Sequence, residues 1–161
     1  MSKKQWILII ALVLLVAAAF TAACIVIVHN KKSSDGFTPP AFDQNAVAGA
    51  PEGVKGFRNF STENYVFGLC GILPQYDKNK IDVYFASASE NGALLKLYVL
   101  DENGTVLGET GAVRPGEYVK TLELKKPVKE TSPVSLRVVS YENDTYYSMG
   151  VVTIKTDITV S

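Results

Sequence analysis

The residue types that catalysis or metal binding requires are scarce in this chain. Its only histidine is His29, and its two cysteines, Cys24 and Cys70, lie far apart. Ser–His and Cys–His hydrolysis need an imidazole beside the nucleophile, and zinc sites draw on several His or Cys ligands. We therefore predict that the protein is not an enzyme and has no catalytic residue, no metal site and no cofactor.

Acidic side chains cluster at two places, residues 101–102 and residues 142–144. Neither cluster has the alternating oxygen ligands of a calcium loop. Asp and Asn are also favoured in turns, because they hydrogen-bond the neighbouring backbone. We interpret both clusters as turns, with a weak calcium site as the alternative.

Each cysteine suggests an alternative function. Cys70 has no basic neighbour in sequence that would lower its thiol pKa, so we expect a packed thiol, and the alternative is a thiol-dependent redox protein. Cys24 closes the run Thr-Ala-Ala-Cys at residues 21–24, which resembles the lipobox of bacterial lipoproteins. The corresponding alternative is a carbohydrate- or solute-binding surface lipoprotein that is acylated at Cys24.

Tyrosines are the remaining candidates for a site. Period-two alternation places Tyr84, Tyr98 and Tyr141 opposite the core residues of their strands, and Tyr146 and Tyr147 follow in a turn. Exposed tyrosines are common at binding surfaces. We predict that these five residues bind a protein partner. The alternative is that they shield sheet faces, or that one makes the corner hydrogen bond of Ig-like folds.

Residues 6–28 carry no charged side chain and are almost entirely Leu, Ile, Val, Phe and Ala. At about 1.5 Å per residue, a helix of this length crosses a hydrocarbon core of about 30 Å. We predict a transmembrane helix that acts as a signal anchor, with residues 1–5 as a short cytoplasmic tail. The protein is then a single-pass protein of the cell membrane with an extracytoplasmic domain.

The charges divide unevenly along the chain. All sixteen acidic side chains and twelve of the sixteen basic ones lie in residues 35–161, so this segment has a net charge of −4, and residues 1–34 have +4. An acidic domain does not favour nucleic acid, which needs a basic surface, whereas basic flanks suit anionic lipid headgroups. We therefore expect the lipid bilayer, and no nucleic acid, among the partners.

The rest of the chain divides into a stalk or linker (29–59), rich in breaker residues, and a β-domain (60–161). In the second segment, short runs of Val, Ile, Tyr, Phe and Thr are separated by turn residues every roughly 8–12 residues. This pattern predicts an all-β fold, namely an Ig-like or fibronectin-like antiparallel β-sandwich of about seven strands. The predicted strands are 64–70, 81–87, 93–101, 105–109, 117–124, 133–142 and 149–160.

Alternation and turn residues fix the expected register. Asn103-Gly104 offers a positive φ at a hairpin tip, and Pro115-Gly116 fits the centre of a type II turn. The predicted core residues are Tyr65, Phe67, Leu69, Ile81, Val83, Phe85, Ala93, Leu95, Leu97, Val99, Leu122, Leu124, Val134, Leu136, Val138, Val152, Ile154, Ile158 and Val160.

The run LDENGTVLGETG at 100–111, closed by RPGEYV at 114–119, resembles a pattern in small membrane-anchored proteins of Gram-positive bacteria. With YENDTYY at 141–147 and the final strand, the resemblance covers residues 64–160. It implies a single span and an Ig-like or fibronectin-like sandwich, with no assigned activity. Because the chain lacks catalytic residues and has candidate tyrosines for binding, we predict an interaction module of a bacterial cell-surface, secretion or conjugation assembly.

Overall fold

The computed structural model describes residues 38–160, and a compact unit begins at Pro40. The predicted transmembrane helix, the short tail and Cys24 lie outside the described residues. Within residues 38–160, no helix is long and apolar enough to span a membrane.

The described chain is all-β, as predicted, and its strands form one curled sheet. The strands are β1 (Val47–Ala48), β2 (Phe57–Ser61), β3 (Val66–Cys70), β4 (Leu73–Tyr76), β5 (Lys80–Ser87), β6 (Ala93–Leu100), β7 (Val106–Glu109), β8 (Glu117–Glu123), β9 (Ser132–Glu142) and β10 (Ser148–Val160). Their order is β1-β8-β5-β4-β10-β9-β6-β7; β3 also pairs with β5, and β2 with β3. All these pairs are antiparallel except β4 with β10, which is parallel.

Seven of these strands, β3 and β5 to β10, correspond to the seven predicted ones. Sequence reasoning missed β1, β2 and β4. β4 is four residues long and contains Pro74, a residue that argues against a strand in a short sequence window. β2 spans the expected boundary at residue 60, and its Arg58 and Asn59 interrupt the apolar alternation.

Residues 41–48, which we call the strap, were expected to belong to the stalk but pair with the sheet. The amide of Asp43 donates to the carbonyl of Ala112 (2.9 Å), and the amide of Ala112 donates to the carbonyl of Ala41 (2.8 Å). The Asp43 carboxylate accepts the Gly111 amide at 2.8 Å. The guanidinium of Arg114 lies 3.6 Å from the centre of the Phe42 ring. These contacts hold the strap against the connection between β7 and β8.

The core lies where alternation predicted it on every strand except the last. The predicted core residues that are buried are Tyr65, Phe67, Leu69, Ile81, Val83, Phe85, Ala93, Leu95, Leu97, Val99, Leu122, Leu124, Val134, Leu136, Val138 and Ile158. Val152 and Ile154 of β10 pack against this core but are only half-buried. The prediction for Val160 is wrong, because 36% of this residue is exposed. It lies beyond the last pair of β10 with β9, Ile158 opposite Ser132, so β9 does not cover it.

Both predicted turns are confirmed. Gly104 has φ = 81° at the β6–β7 hairpin, where the Asp101 carboxylate accepts backbone amides from two residues of the turn. Gly116 has φ = 75°, and the amide of Glu117 donates to the carbonyl of Arg114 at 3.1 Å. The acidic residue Asp101 therefore serves the turn that its position suggested.

Candidate binding surface

Tyr98 and Tyr141 lie together on the outer face of the sheet. Tyr98 of β6 is opposite Arg137 of β9, and four pairs further along β9, Tyr141 is opposite Leu94. Both rings line an open depression of about 600 Å³. We call the central part of this depression the tyrosine face; it consists of Tyr98, Arg137, Val139, Tyr141 and Val151.

A lysine and a glutamate hold the Tyr98 ring in place. The Nζ atom of Lys96 lies 4.8 Å from the centre of the Tyr98 ring and 3.1 Å from a carboxylate oxygen of Glu109. Only 14% of the Lys96 side chain is exposed, so this side chain is largely removed from water. Cation–π attraction is strongest where the cation is desolvated. This contact therefore favours the observed position of the ring.

Tyr141 keeps its proton to high pH. Burial, with the neighbouring Tyr98 hydroxyl adding to the effect, raises the pKa of Tyr141 to about 12. A tyrosine disfavours ionisation when its hydroxyl loses water, because the phenolate needs solvation. Like an ordinary tyrosine, Tyr141 is protonated at neutral pH, and its hydroxyl can both donate and accept hydrogen bonds.

Tyr84 does not join this surface. It lies on β5, which pairs with β8 in the other part of the sheet, and Lys120 of β8 lies over its ring at 5.8 Å. Tyr84 has φ = 44° at a register shift between Asp82 and Phe85. This bulge leaves Tyr84 half-buried against the core. The three strand tyrosines therefore do not form one patch.

Tyr146 and Tyr147 lie in the loop that joins β9 to β10. The amide of Glu142 donates to the carbonyl of Tyr147 at 2.9 Å, which closes the loop, and 76% of Tyr147 is exposed. Tyr147 precedes Ser148, the partner of Tyr141 in the ladder. The structure thus places this loop at the end of the tyrosine face.

Sequence reasoning missed Tyr76, because β4 was not identified. The Tyr76 hydroxyl donates to Asp82 at 2.9 Å, and the Thr121 hydroxyl donates to the same carboxylate oxygen at 3.0 Å. Tyr76 also lines a second depression of about 440 Å³, together with Lys80 and Lys120. β4 has only four residues, and an alternation this short does not identify a strand from sequence.

The Cys70 thiol is buried, with 6% of the residue exposed. Burial raises its pKa, and the negative charge of Asp82 adds to this effect. A reactive thiol needs a lowered pKa and access to solvent, so both observations favour a packed thiol. Among residues 38–160, no three His, Cys, Asp or Glu side chains are close enough together to hold a metal ion.

A scan against protein-family models found no match for this chain, and a search of curated proteins found none either.

Proposed function

We propose that the protein is a membrane-anchored, extracytoplasmic interaction module whose tyrosine face binds a protein partner in a bacterial cell-surface, secretion or conjugation assembly. The uncharged apolar stretch 6–28 supports the anchor, since its length suits one transmembrane helix. The acidic charge of residues 35–161 supports a domain that binds protein and not nucleic acid.

The strand order supports an Ig-like or fibronectin-like sandwich as the scaffold. With β3 and β4 taken as strand A, and β1 and β2 left aside, β5 to β10 correspond in order to B, C, C′, E, F and G. The pairs then give the strand sets A-B-E and C′-C-F-G of that architecture, and the pair of β4 with β10 joins the two sets into the one curled sheet. In this assignment, the tyrosine face is the outer face of the C′-C-F-G sheet.

The observation that carries the proposal is the composition of this outer face. A sheet face that meets only water favours polar side chains at alternate positions. Here half-buried Tyr98 and Tyr141 line the same depression as Val151, which is 55% exposed, and buried Val139. Contiguous apolar and aromatic surface on an outer face marks an interaction site.

The shape and chemistry of the face favour a protein over a small solute. Small-molecule sites are concave and enclose most of their ligand, whereas the tyrosine face is an open sheet surface. Protein interfaces are enriched in Tyr and Arg, and here Arg137 lies directly opposite Tyr98 in the ladder. The ion pair of Lys96 with Glu109 supplies polar groups at the margin.

The test uses the full chain in its native membrane. Tyr98→Ser with Tyr141→Ser removes both rings of the face, and Tyr76→Ser with Tyr84→Ser removes two rings from the other part of the sheet. After amine crosslinking of whole cells, we expect the first double variant to lose its crosslinked species and the second to keep them. Equal crosslinking by both variants at equal abundance would overturn the proposal. The thermal midpoint of each purified chain shows whether a loss comes from unfolding.

A further inference from the structure

The last strand has a long open edge. Along one side, β10 pairs with β9 from Ser148 to Ile158. Along its other side, among the described residues, it pairs only with β4, over residues 158–160. The strands at the two ends of the strand order, β1 and β7, have only two and four residues. An open edge of this length can pair with another extended chain.

A proline shows which backbone groups point away from β9. Asp157 lies opposite Pro133, which has no amide hydrogen, so this is a non-hydrogen-bonded pair of the antiparallel ladder. Such pairs alternate with hydrogen-bonded ones, so Lys155, Thr153 and Val151 also form non-hydrogen-bonded pairs with β9. The N–H and C=O groups of these three residues therefore point to the open edge.

We propose that this edge pairs with the same edge of a second copy of the chain, antiparallel and centred on Thr153. Around that centre, Thr153 lies opposite Thr153 of the second copy, and Val151 lies opposite Lys155. Each of these three residues then meets another of the three, as a two-fold interface requires.

Side chains support self-pairing on both faces of the strand. On the core side, half-buried Val152 would lie opposite half-buried Ile154 of the second copy, so the parts of both side chains that the core leaves uncovered would be buried. On the outer side, Lys155 faces Val151, so no like charges lie opposite each other. Pairing would also join the two tyrosine faces across the two-fold axis. The inference does not depend on what those faces bind.

A second copy fits the side chains of the open stretch. The apolar residues Val152 and Ile154 lie symmetrically about Thr153, so a two-fold axis at Thr153 brings Val152 of each copy opposite Ile154 of the other. The contact covers about five residues of each copy, so we expect a dimer whose population depends on concentration.

Disulfide trapping tests the register in the full chain in membranes. In a Cys24→Ser background, Thr153→Cys would place the cysteines of the two copies opposite each other in a hydrogen-bonded pair. The Cα atoms of such a pair are roughly 5.5 Å apart, which is within the range that a disulfide spans. Val151→Cys is the matched control. Residue 151 is also exposed, but in the proposed dimer the two introduced cysteines would be four residues, or roughly 14 Å, apart along the strand. We expect mild oxidation to link most Thr153→Cys chains into dimers and few Val151→Cys chains. Equal linking in both variants, no linking at Thr153→Cys, or linking of Thr153→Cys to a different protein would overturn the proposal.

A proline substitution gives a second measurement. The amide of Thr153 points away from β9, so Thr153→Pro removes an edge donor without removing a bond of the β9 ladder. In sedimentation of the detergent-purified full chain, we expect Thr153→Pro to be monomeric at concentrations where the natural chain and Thr153→Val form dimers. A folded Thr153→Pro chain that still forms dimers would contradict the proposal. If Thr153→Pro does not fold, the disulfide result decides.

Discussion

The docking of the strap depends on a glycine, and Gly111→Ala tests it. An added Cβ atom at Gly111 would lie 2.6 Å from the Cα atom of Asp43 and 2.7 Å from the carbonyl carbon of Phe42. Both are backbone atoms, so a side-chain rotation cannot relieve the clash. The strap must move away, or the β7–β8 connection must deform.

The cost follows from the contacts that the strap would lose. They include the two backbone hydrogen bonds of Ala112 with the strap and the bond from the Gly111 amide to the Asp43 carboxylate. At about 0.5–1.5 kcal/mol each, they sum to about 3 kcal/mol. The loss of Gly conformational freedom in the unfolded state returns about 0.4–1 kcal/mol. We expect a net destabilisation of about 2 kcal/mol, which lowers the thermal midpoint by roughly 6–10 °C.

The assay is thermal or urea denaturation of the purified full chain, with cleavage by a protease that cuts before aspartate as a local probe at Asp43. Gly92→Ala is the matched control, because nothing lies within 4 Å of its added Cβ atom. We expect Gly111→Ala to be less stable and to be cut faster at Asp43. Equal stability and equal cutting in both variants would refute the account of the strap.

Three further predictions concern single side chains. The pKa of Tyr141 is raised to about 12 in the folded chain, whereas a tyrosine in the unfolded chain ionises near pH 10. The free energy of unfolding should therefore fall between about pH 10 and 12, by about 1 kcal/mol at pH 11. In urea denaturation at pH 9 and pH 11, Tyr141→Phe should lose less stability between the two pH values than the natural chain does. Cys70 should resist alkylation until denaturant is added, and rapid labelling of the folded chain would support a redox role instead. Asp101→Ala should lower stability by about 1 kcal/mol, because its carboxylate accepts two turn amides, whereas the exposed neighbour Glu102→Ala should not; equal thermal midpoints would contradict this.

Strands with one fully buried face could be predicted from sequence. Leu95 and Leu97 on β6, like Phe67 and Leu69 on β3, are buried at alternate positions, so period-two alternation identifies the strand and its inner face. β4 could not be found in this way. Its place depends on pairing with β10, more than eighty residues later in the chain, and Pro74 argues against a strand locally.

The candidate site was predictable only in part. Alternation places Tyr98 and Tyr141 on outer faces, but their proximity depends on the pairing of β6 with β9, which the sequence does not specify. Tyr84 obeys the same alternation and yet lies in the other part of the sheet, because β5 pairs with β8. The bulge at Tyr84 is a tertiary feature as well, since it is a shift in the register of β5 against β8 between Asp82 and Phe85.

The central claim is that the tyrosine face binds a protein partner, and site-specific photocrosslinking in whole cells tests it most directly. A photoreactive amino acid at Arg137 lies on the tyrosine face, and one at Lys120 is also exposed but lies in the other part of the sheet. Arg137 should give a discrete crosslinked species that contains a second protein, and Lys120 should not. The same species from Lys120, or none from Arg137 at equal abundance of the chain, would contradict the account.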